Sequence, residues 1–268
     1  MNTIVSLKRK MAVCALVLIL LSLGGNIGVA EGREGAKVSF TFDDAPKSVF
    51  DNAYPLLEAR GFPATIYLTT KYIGAMPWYV TWEQVGILGK RGWEIGSHTH
   101  THPHMMELTA TEIAKELDES IKELRKRGFA PRSFSSPYGE FDGRVIGAMK
   151  ARFGNHRRAW GGTNGLNDPV SVNPYDISAF ELKHTTTFKE VKKLIDRAVK
   201  EESWLVFITH AVLRGEPSEY QLYVDIDVFR RIVDYVHKKG VKVVTVSDAM
   251  AKPTRIRVRV PTDKLEKW

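Results

Sequence analysis

Two stretches decide the reading of this chain. Residues 37–44 are Lys37-Val38-Ser39-Phe40-Thr41-Phe42-Asp43-Asp44, and residues 93–104 are Trp93-Glu94-Ile95-Gly96-Ser97-His98-Thr99-His100-Thr101-His102-Pro103-His104. Each begins as a short strand and ends in a polar cluster. The clusters supply adjacent carboxylates and imidazoles four residues apart, with both His98/His102 and His100/His104 fitting that spacing. A metal with three protein ligands and an open position lowers the pKa of its water to about 7, and one carboxylate remains free as a base. These residues point to a metal-dependent hydrolase.

Outward from these stretches, short apolar runs alternate with amphipathic segments. Strands are expected at 37–42, 64–69, 93–97, 132–136, 157–161, 177–181, 204–209 and 241–246. Helices are expected at 48–60, 81–91, 109–127, 142–152, 188–202 and 225–239. The clearest is Thr109 to Arg127: Thr109 caps it, Glu112 completes a capping box, and Ile113, Leu117, Ile121 and Leu124 share one face. Strands separated by helices imply parallel pairing and an α/β architecture, and seven or eight such units fit a (β/α) barrel of the TIM type. The Gly- and Asn-rich stretch 161–176 reads as a long loop. In such a barrel chemistry gathers at the C-terminal ends of the strands. Four clusters fall there: Asp43/Asp44, His98/His102, Ser135-Ser136-Pro137-Tyr138-Gly139 and Thr209-His210. Singly, each is commonly a solvated loop, a turn or a core histidine; their equivalent positions argue for one site.

The ends of the chain read differently. Lys8-Arg9-Lys10 precedes an apolar run of about 13 residues, Met11 to Leu23, and Gly28-Val29-Ala30 follows. This is the pattern of a signal peptide over residues 1–30, with an uncleaved anchor as the rival, because a span needs roughly 20 apolar residues. Cys14, the single cysteine, lies inside that run. Residues 31–268 therefore have no thiol ligand, nucleophile or disulfide. The net charge of +8 also sits at the ends. Residues 1–30 carry +3 and residues 251–268 carry +4, leaving +1 for the body, so a nucleic-acid partner is not indicated. The organisation expected is a leader (1–30), one catalytic domain (31–250) and a basic tail (251–268) containing an alternating edge strand, Arg255 to Val260.

Taken together, Thr41-Phe42-Asp43-Asp44, His98-Thr99-His100-Thr101-His102 with its Glu94-Ile95-Gly96-Ser97 and Pro103 frame, Pro137-Tyr138-Gly139, and Val206 to His210 resemble the polysaccharide deacetylases, carbohydrate esterase family four. The resemblance covers about residues 37–250. It implies a distorted (β/α) barrel and a hydrolase acting on non-peptide carbon–nitrogen bonds. It selects His98/His102 over His100/His104. It implies Asp44, His98 and His102 as ligands of a divalent metal, commonly zinc, although cobalt and nickel suit the same donors. Asp43 is then the base and His210 the acid. The Tyr138 N–H, after Pro137, faces the oxyanion, and Ile208 lines the acetyl pocket. Trp78, Tyr79 and His100 are candidate sugar contacts, whereas Trp82 reads as core.

Two features depart from the family pattern. Ser135 stands where many members carry an arginine paired with the base, and Arg157 or Arg158 are the available substitutes. No Asp-Trp motif orients His210; Asp168 or Asp176 could take that role. The expected activity is removal of N-acetyl groups from an acetylated glycan by a secreted or cell-surface protein, with membrane contact only through an uncleaved leader. O-acetyl removal and a catalytically silent glycan-binding protein are the alternatives.

Overall fold

The computed structural model describes residues 35–159, 164–215 and 222–251. The expected leader at 1–30 and the expected tail strand at 255–260 lie outside the described residues. Every residue of β1 (Lys37–Phe42) is buried, as in a parallel strand covered on both faces. Its alternation sorts the two faces. Val38, Phe40 and Phe42 face the helices, with Phe40 5.6 Å from Phe207 and 5.8 Å from Phe229 between ring centres. Ser39 and Thr41 face the other way. Ser39 Oγ donates to the Val244 carbonyl (2.7 Å) and accepts from Trp204 Nε1 (2.9 Å), while Thr41 Oγ1 donates to the Phe207 carbonyl (2.7 Å).

The remaining strands are β2 (Thr65–Leu68), β3 (Glu94–Ser97), β4 (Ser133–Ser135), β5 (Asn155–Arg157), β6 (Leu166–Asn167), β7 (Phe180–Glu181), β8 (Trp204–Thr209), β9 (Ala211–Leu213), β10 (Tyr223–Asp225) and β11 (Lys242–Val243). Strands β5-β4-β3-β2-β1-β8 pair in that order, all parallel. The segment 177–181 bridges the two ends of this row. Ile177 pairs with Arg157 of β5, and β7 pairs with Phe207 and Ile208 of β8. That contact closes the distorted barrel. Strand β11 joins the start of β1, β6 runs antiparallel to β8, and β9 and β10 form a separate small sheet.

The helices are α1 (Tyr54–Glu58), entered through a π-turn at Val49–Ala53, then α2 (Trp82–Lys90), α3 (Ala110–Lys126), α4 (Gly143–Lys150), α5 (Phe188–Glu201), α6 (Ile226–Lys238) and α7 (Val246–Ala249). Helix α3 carries the expected Thr109–Glu112 capping box and buries Ile113, Leu117, Ile121 and Leu124. Three expectations shift. The fifth strand is Asn155–Arg157 rather than 157–161, because its side chains are polar yet buried, which hydrophobic periodicity does not register. The stretch 161–176 is not only loop. It contains β6, fixed by Asn167, whose Nδ2 donates to the Ser178 carbonyl (2.9 Å) and whose Oδ1 accepts from Ser178 N (2.9 Å). The strand expected over 241–246 shortens to β11 because Thr245 caps α7.

His156 illustrates the polar interior. A carbonyl only accepts, so the 3.2 Å contact of Nδ1 with the Tyr175 carbonyl places the proton on Nδ1 and leaves Nε2 to accept from Ser136 Oγ (3.0 Å). Burial pushes the ring's pKa down from 6.5 to about 4. The unfolded chain therefore takes up this proton first, and the associated stability, present above about pH 6.5, is lost as pH falls toward 4, at a cost of about 3 kcal/mol. His156→Gln should flatten the decline in melting temperature between pH 7 and pH 4.5; an unchanged slope would contradict this assignment.

Candidate metal centre and catalytic cluster

The sheet register brings the clusters together. Phe42 pairs with Thr209, and Asp43 N–H donates to the Thr209 carbonyl (3.0 Å), so Asp43 and His210 leave neighbouring strands side by side. Leu68 pairs with Ser97, and His98 N–H donates to the Leu68 carbonyl (3.0 Å). The result is a tight group of Asp44, His98 and His102, whose candidate ligand atoms all lie within 4.8 Å of one another. Asp44 Oδ1 is 3.4 Å from His98 Nε2 and 3.2 Å from His102 Nε2. The second histidine pair does not converge. His100 Nδ1 meets Thr70 Oγ1 (2.9 Å), and His104 contacts Glu140 (3.1 Å) and stacks on Tyr138 with ring centres 3.9 Å apart.

The donors suit a divalent cation. His98 Nδ1 lies 2.7 Å from the Ser135 carbonyl, which can only accept; the proton is therefore on Nδ1 and the Nε2 lone pair faces Asp44. Burial lowers the pKa of His98 against the pull of both aspartates, favouring the neutral ring a metal requires. Burial would raise the carboxyl of Asp44, but the neighbouring imidazoles outweigh it and hold it well below the usual carboxylate range.

Asp43 has a different environment. It is 2% exposed, 4.0 Å from His98 Nε2, and held by a fully buried arginine. Arg157 Nη2 donates to Asp43 Oδ1 and to Ser135 Oγ (2.7 Å), and Ser135 Oγ donates to Asp43 Oδ2 (3.3 Å). Arg157, one of the two substitutes named from sequence, thus supplies from β5 the charge absent from β4. Arg158 pairs instead with Asp176 (3.1 Å). Burial pushes the Asp43 carboxyl up, yet Arg157, His98 and His210 bring it below its ordinary value. The Arg157 guanidinium also lies 5.0 Å from the centre of the Tyr67 ring. Gly96 makes room for that ring, since a Cβ there would stand 2.6 Å from Tyr67. Sequence reading missed Tyr67; the glycine opposite it in the Glu-Ile-Gly-Ser frame was the available signal.

The other expected residues fall around this centre. His210 is half-buried at the end of β8, and among the described residues its ring has no hydrogen-bond partner. The two candidate orienting residues have other partners. Asp176 is paired as above, and Asp168 holds its own turn through Val170 N and Ser171 Oγ. Ile208 is buried beside Ile177 and Val206, on the same face of β8 as Trp204. Pro137 is buried, whereas Tyr138 is 51% exposed with φ +55. Among the described residues no acceptor takes the Tyr138 N–H. Asp44, Ala45, Thr99 and His102 also have positive φ, an arrangement uncommon outside glycine.

The loop carrying Trp78 and Tyr79 is tied to the Asp44 segment. Val80 N–H donates to Ala45 O (3.0 Å) and Lys47 N–H to Trp78 O (2.7 Å). Trp78 is 60% exposed, and Tyr79 stacks on Tyr72 with ring centres 5.5 Å apart. Trp82 packs against the core beneath the Arg127 guanidinium.

Removing one member of the buried Asp43–Arg157 pair leaves the other charge uncompensated. Arg157→Leu should lower unfolding stability by about 3–5 kcal/mol. Asp43→Asn with Arg157→Leu should cost less than the sum of the single changes, as read by denaturant unfolding. Strict additivity would show that the two side chains do not interact.

Residues 30–152 match the family model described as polysaccharide deacetylase, a span holding Asp43, Asp44, His98, His102 and Tyr138. Chitin deacetylase 1 of Cryptococcus neoformans var. grubii is 24% identical over 192 residues, covering 70% of this chain and 38% of that protein. A poly-beta-1,6-N-acetyl-D-glucosamine N-deacetylase of Staphylococcus aureus is 28% identical over 116 residues, covering 38% and 40%. The chain spans between 21% and 40% of the length of the first curated relatives it matches. In fold it is similar to a solved structure described as T48 deacetylase with substrate, with a TM-score of 0.56 and 19% identity over 80% of this chain and 90% of that one. The distorted barrel, the Asp-Asp and His-x-x-x-His clusters at its rim and the matched span agree: residues 30–152 match the polysaccharide deacetylase family, and the fold is similar to that of solved deacetylases.

Proposed function

We propose that this protein is a metal-dependent hydrolase that removes N-acetyl groups from an extracellular or cell-wall amino-sugar glycan, releasing acetate. The observation that carries the reading is the convergence of Asp44, His98 and His102 beside a second carboxylate, Asp43, that is engaged by Arg157. A divalent cation held by Asp44, His98 and His102, most simply zinc, would act as a Lewis acid toward the acetyl carbonyl and a water. Asp43, ionised beside Arg157, accepts the proton of the attacking water as the new C–O bond forms. The Tyr138 N–H donates to the carbonyl oxygen as it gains charge. His210 protonates the nitrogen as the C–N bond breaks, so that a neutral amine departs. Ile208 supports the acetyl methyl, and exposed Trp78 with Tyr79 offers aromatic faces to sugar rings. His100, tied to Thr70, would meet substrate only through its remaining ring atoms.

The location outside the cell rests on the pattern of residues 1–30 alone. O-acetyl removal uses the same groups with less demand on the acid. It is favoured by one observation, the lack of an orienting partner for His210 among the described residues. The silent-protein alternative loses its motive, since Arg157 stands where the missing arginine is needed.

Purified protein should release acetate from N-acetylglucosamine oligomers, lose that activity on chelation and regain it with zinc. Asp43→Asn should abolish turnover and keep the metal, whereas His98→Ala or His102→Ala should lose both. Turnover by Asp43→Asn, or metal content unchanged in the histidine variants, would contradict these roles. No release from the oligomers or from acetylated xylan despite bound metal would turn the reading toward another amide or a binding protein.

A further inference from the structure

The loop that presents His98 and His102 is bent in a way its residues do not favour. Thr99 has φ +67 and His102 φ +61; for a β-branched residue such as Thr99 this is a marked outlier. Strain of this kind persists only where the surroundings impose it. On one side the loop hangs from the end of β2. Thr70 N–H donates to the Thr99 carbonyl (3.3 Å), Lys71 N–H to the His100 carbonyl (2.9 Å), and Thr70 Oγ1 meets His100 Nδ1. On the other side the Glu116 side chain makes the connection. Glu116 Oε2 accepts from His100 N–H (3.0 Å) and Thr101 N–H (2.8 Å), and Oε1 accepts from Thr101 Oγ1 (2.7 Å). Two successive N–H groups aimed at one carboxylate oxygen form a small anion-binding nest. Glu116 itself stands on α3, whose apolar face is buried and whose Ser120 bonds Ser97 of β3 (2.7 Å).

We propose that Glu116 is a positioning residue for the metal centre, acting through His100 and Thr101, two of the three residues between His98 and His102. Its three charge-assisted bonds oppose relaxation of the loop toward ordinary φ values and so keep both imidazoles directed at Asp44. The inference rests on the metal reading of the Asp44, His98 and His102 cluster. Groups in this supporting role alter metal affinity by about 10–100-fold when removed.

The test uses zinc itself and needs no substrate. The zinc dissociation constant of the full chain is measured by competition with a chromophoric chelator, alongside the melting temperature of the metal-free protein, for wild type, Glu116→Ala, Glu116→Gln and Glu112→Ala. Glu116→Ala should weaken zinc binding by about tenfold or more. Glu116→Gln should fall between, because its amide retains one acceptor oxygen. Glu112→Ala removes the capping box of the same helix and should lower the melting temperature without changing zinc affinity. Wild-type affinity in Glu116→Ala overturns the proposal, as does wild-type affinity in Glu116→Gln should the alanine variant fail to fold. Equal weakening by Glu112→Ala also overturns it, since the effect would then be one of helix stability. Absence of zinc binding by the wild type overturns the metal reading itself, and this inference with it.

Discussion

A carboxylate inside a barrel survives ionised only if something offsets its lost hydration, and here that is the Asp43–Arg157 pair. Two unit charges attract far more strongly in a protein interior than in water, but the cost of burying both is recovered only with good hydrogen bonding. Ser135 contributes that bonding. Its hydroxyl accepts from Arg157 and donates to Asp43, while its carbonyl accepts from His98. One residue therefore couples Asp43, Arg157 and His98, the groups proposed as base, its cation and a metal ligand. The Tyr67 ring beside Arg157, and the absence of a side chain at Gly96 that admits it, follow from the same requirement.

Around the pair the inner face is polar, and β5 shows how it is satisfied. On β5, buried Asn155 and Arg157 face into the barrel and meet Ser247 and Asp43, whereas His156, on the opposite face beside Phe134 and Phe141, bonds Ser136 next to the neighbouring strand. Apolar packing lies outside the ring, where Val38, Phe40 and Phe42 meet the helices, and in a smaller cluster of Ile177, Trp204, Val206 and Ile208 on the inner face. The positive φ values of Asp44, Ala45, Thr99, His102 and Tyr138 lie at the strand ends that surround the centre, where hydrogen bonds from neighbouring segments hold the backbone.

Much of this was legible in the sequence for stated reasons. The alternation of residues 37–42, the Thr109–Glu112 box and the His98/His102 spacing are local signals, and local signals survive without coordinates. Strand β5 was misplaced by two residues because buried polar side chains mimic a loop. Closure through Ile177 and β7, and the antiparallel β6, depend on pairings between residues distant in the chain. Arg157 and Arg158 were equivalent as letters; only the strand's alternation turns one inward to Asp43 and the other outward to Asp176. Glu116 looked like any acid on the exposed side of an amphipathic helix, and its bonds to the histidine loop were invisible.

A crystal structure of the zinc-loaded protein, with anomalous data collected above and below the zinc edge, tests the central claim most directly. The account predicts one zinc peak bound by Asp44, His98 and His102, with Asp43 off the metal and paired to Arg157. Zinc coordinated by Asp43, or bound instead at His100 and His104, would contradict it.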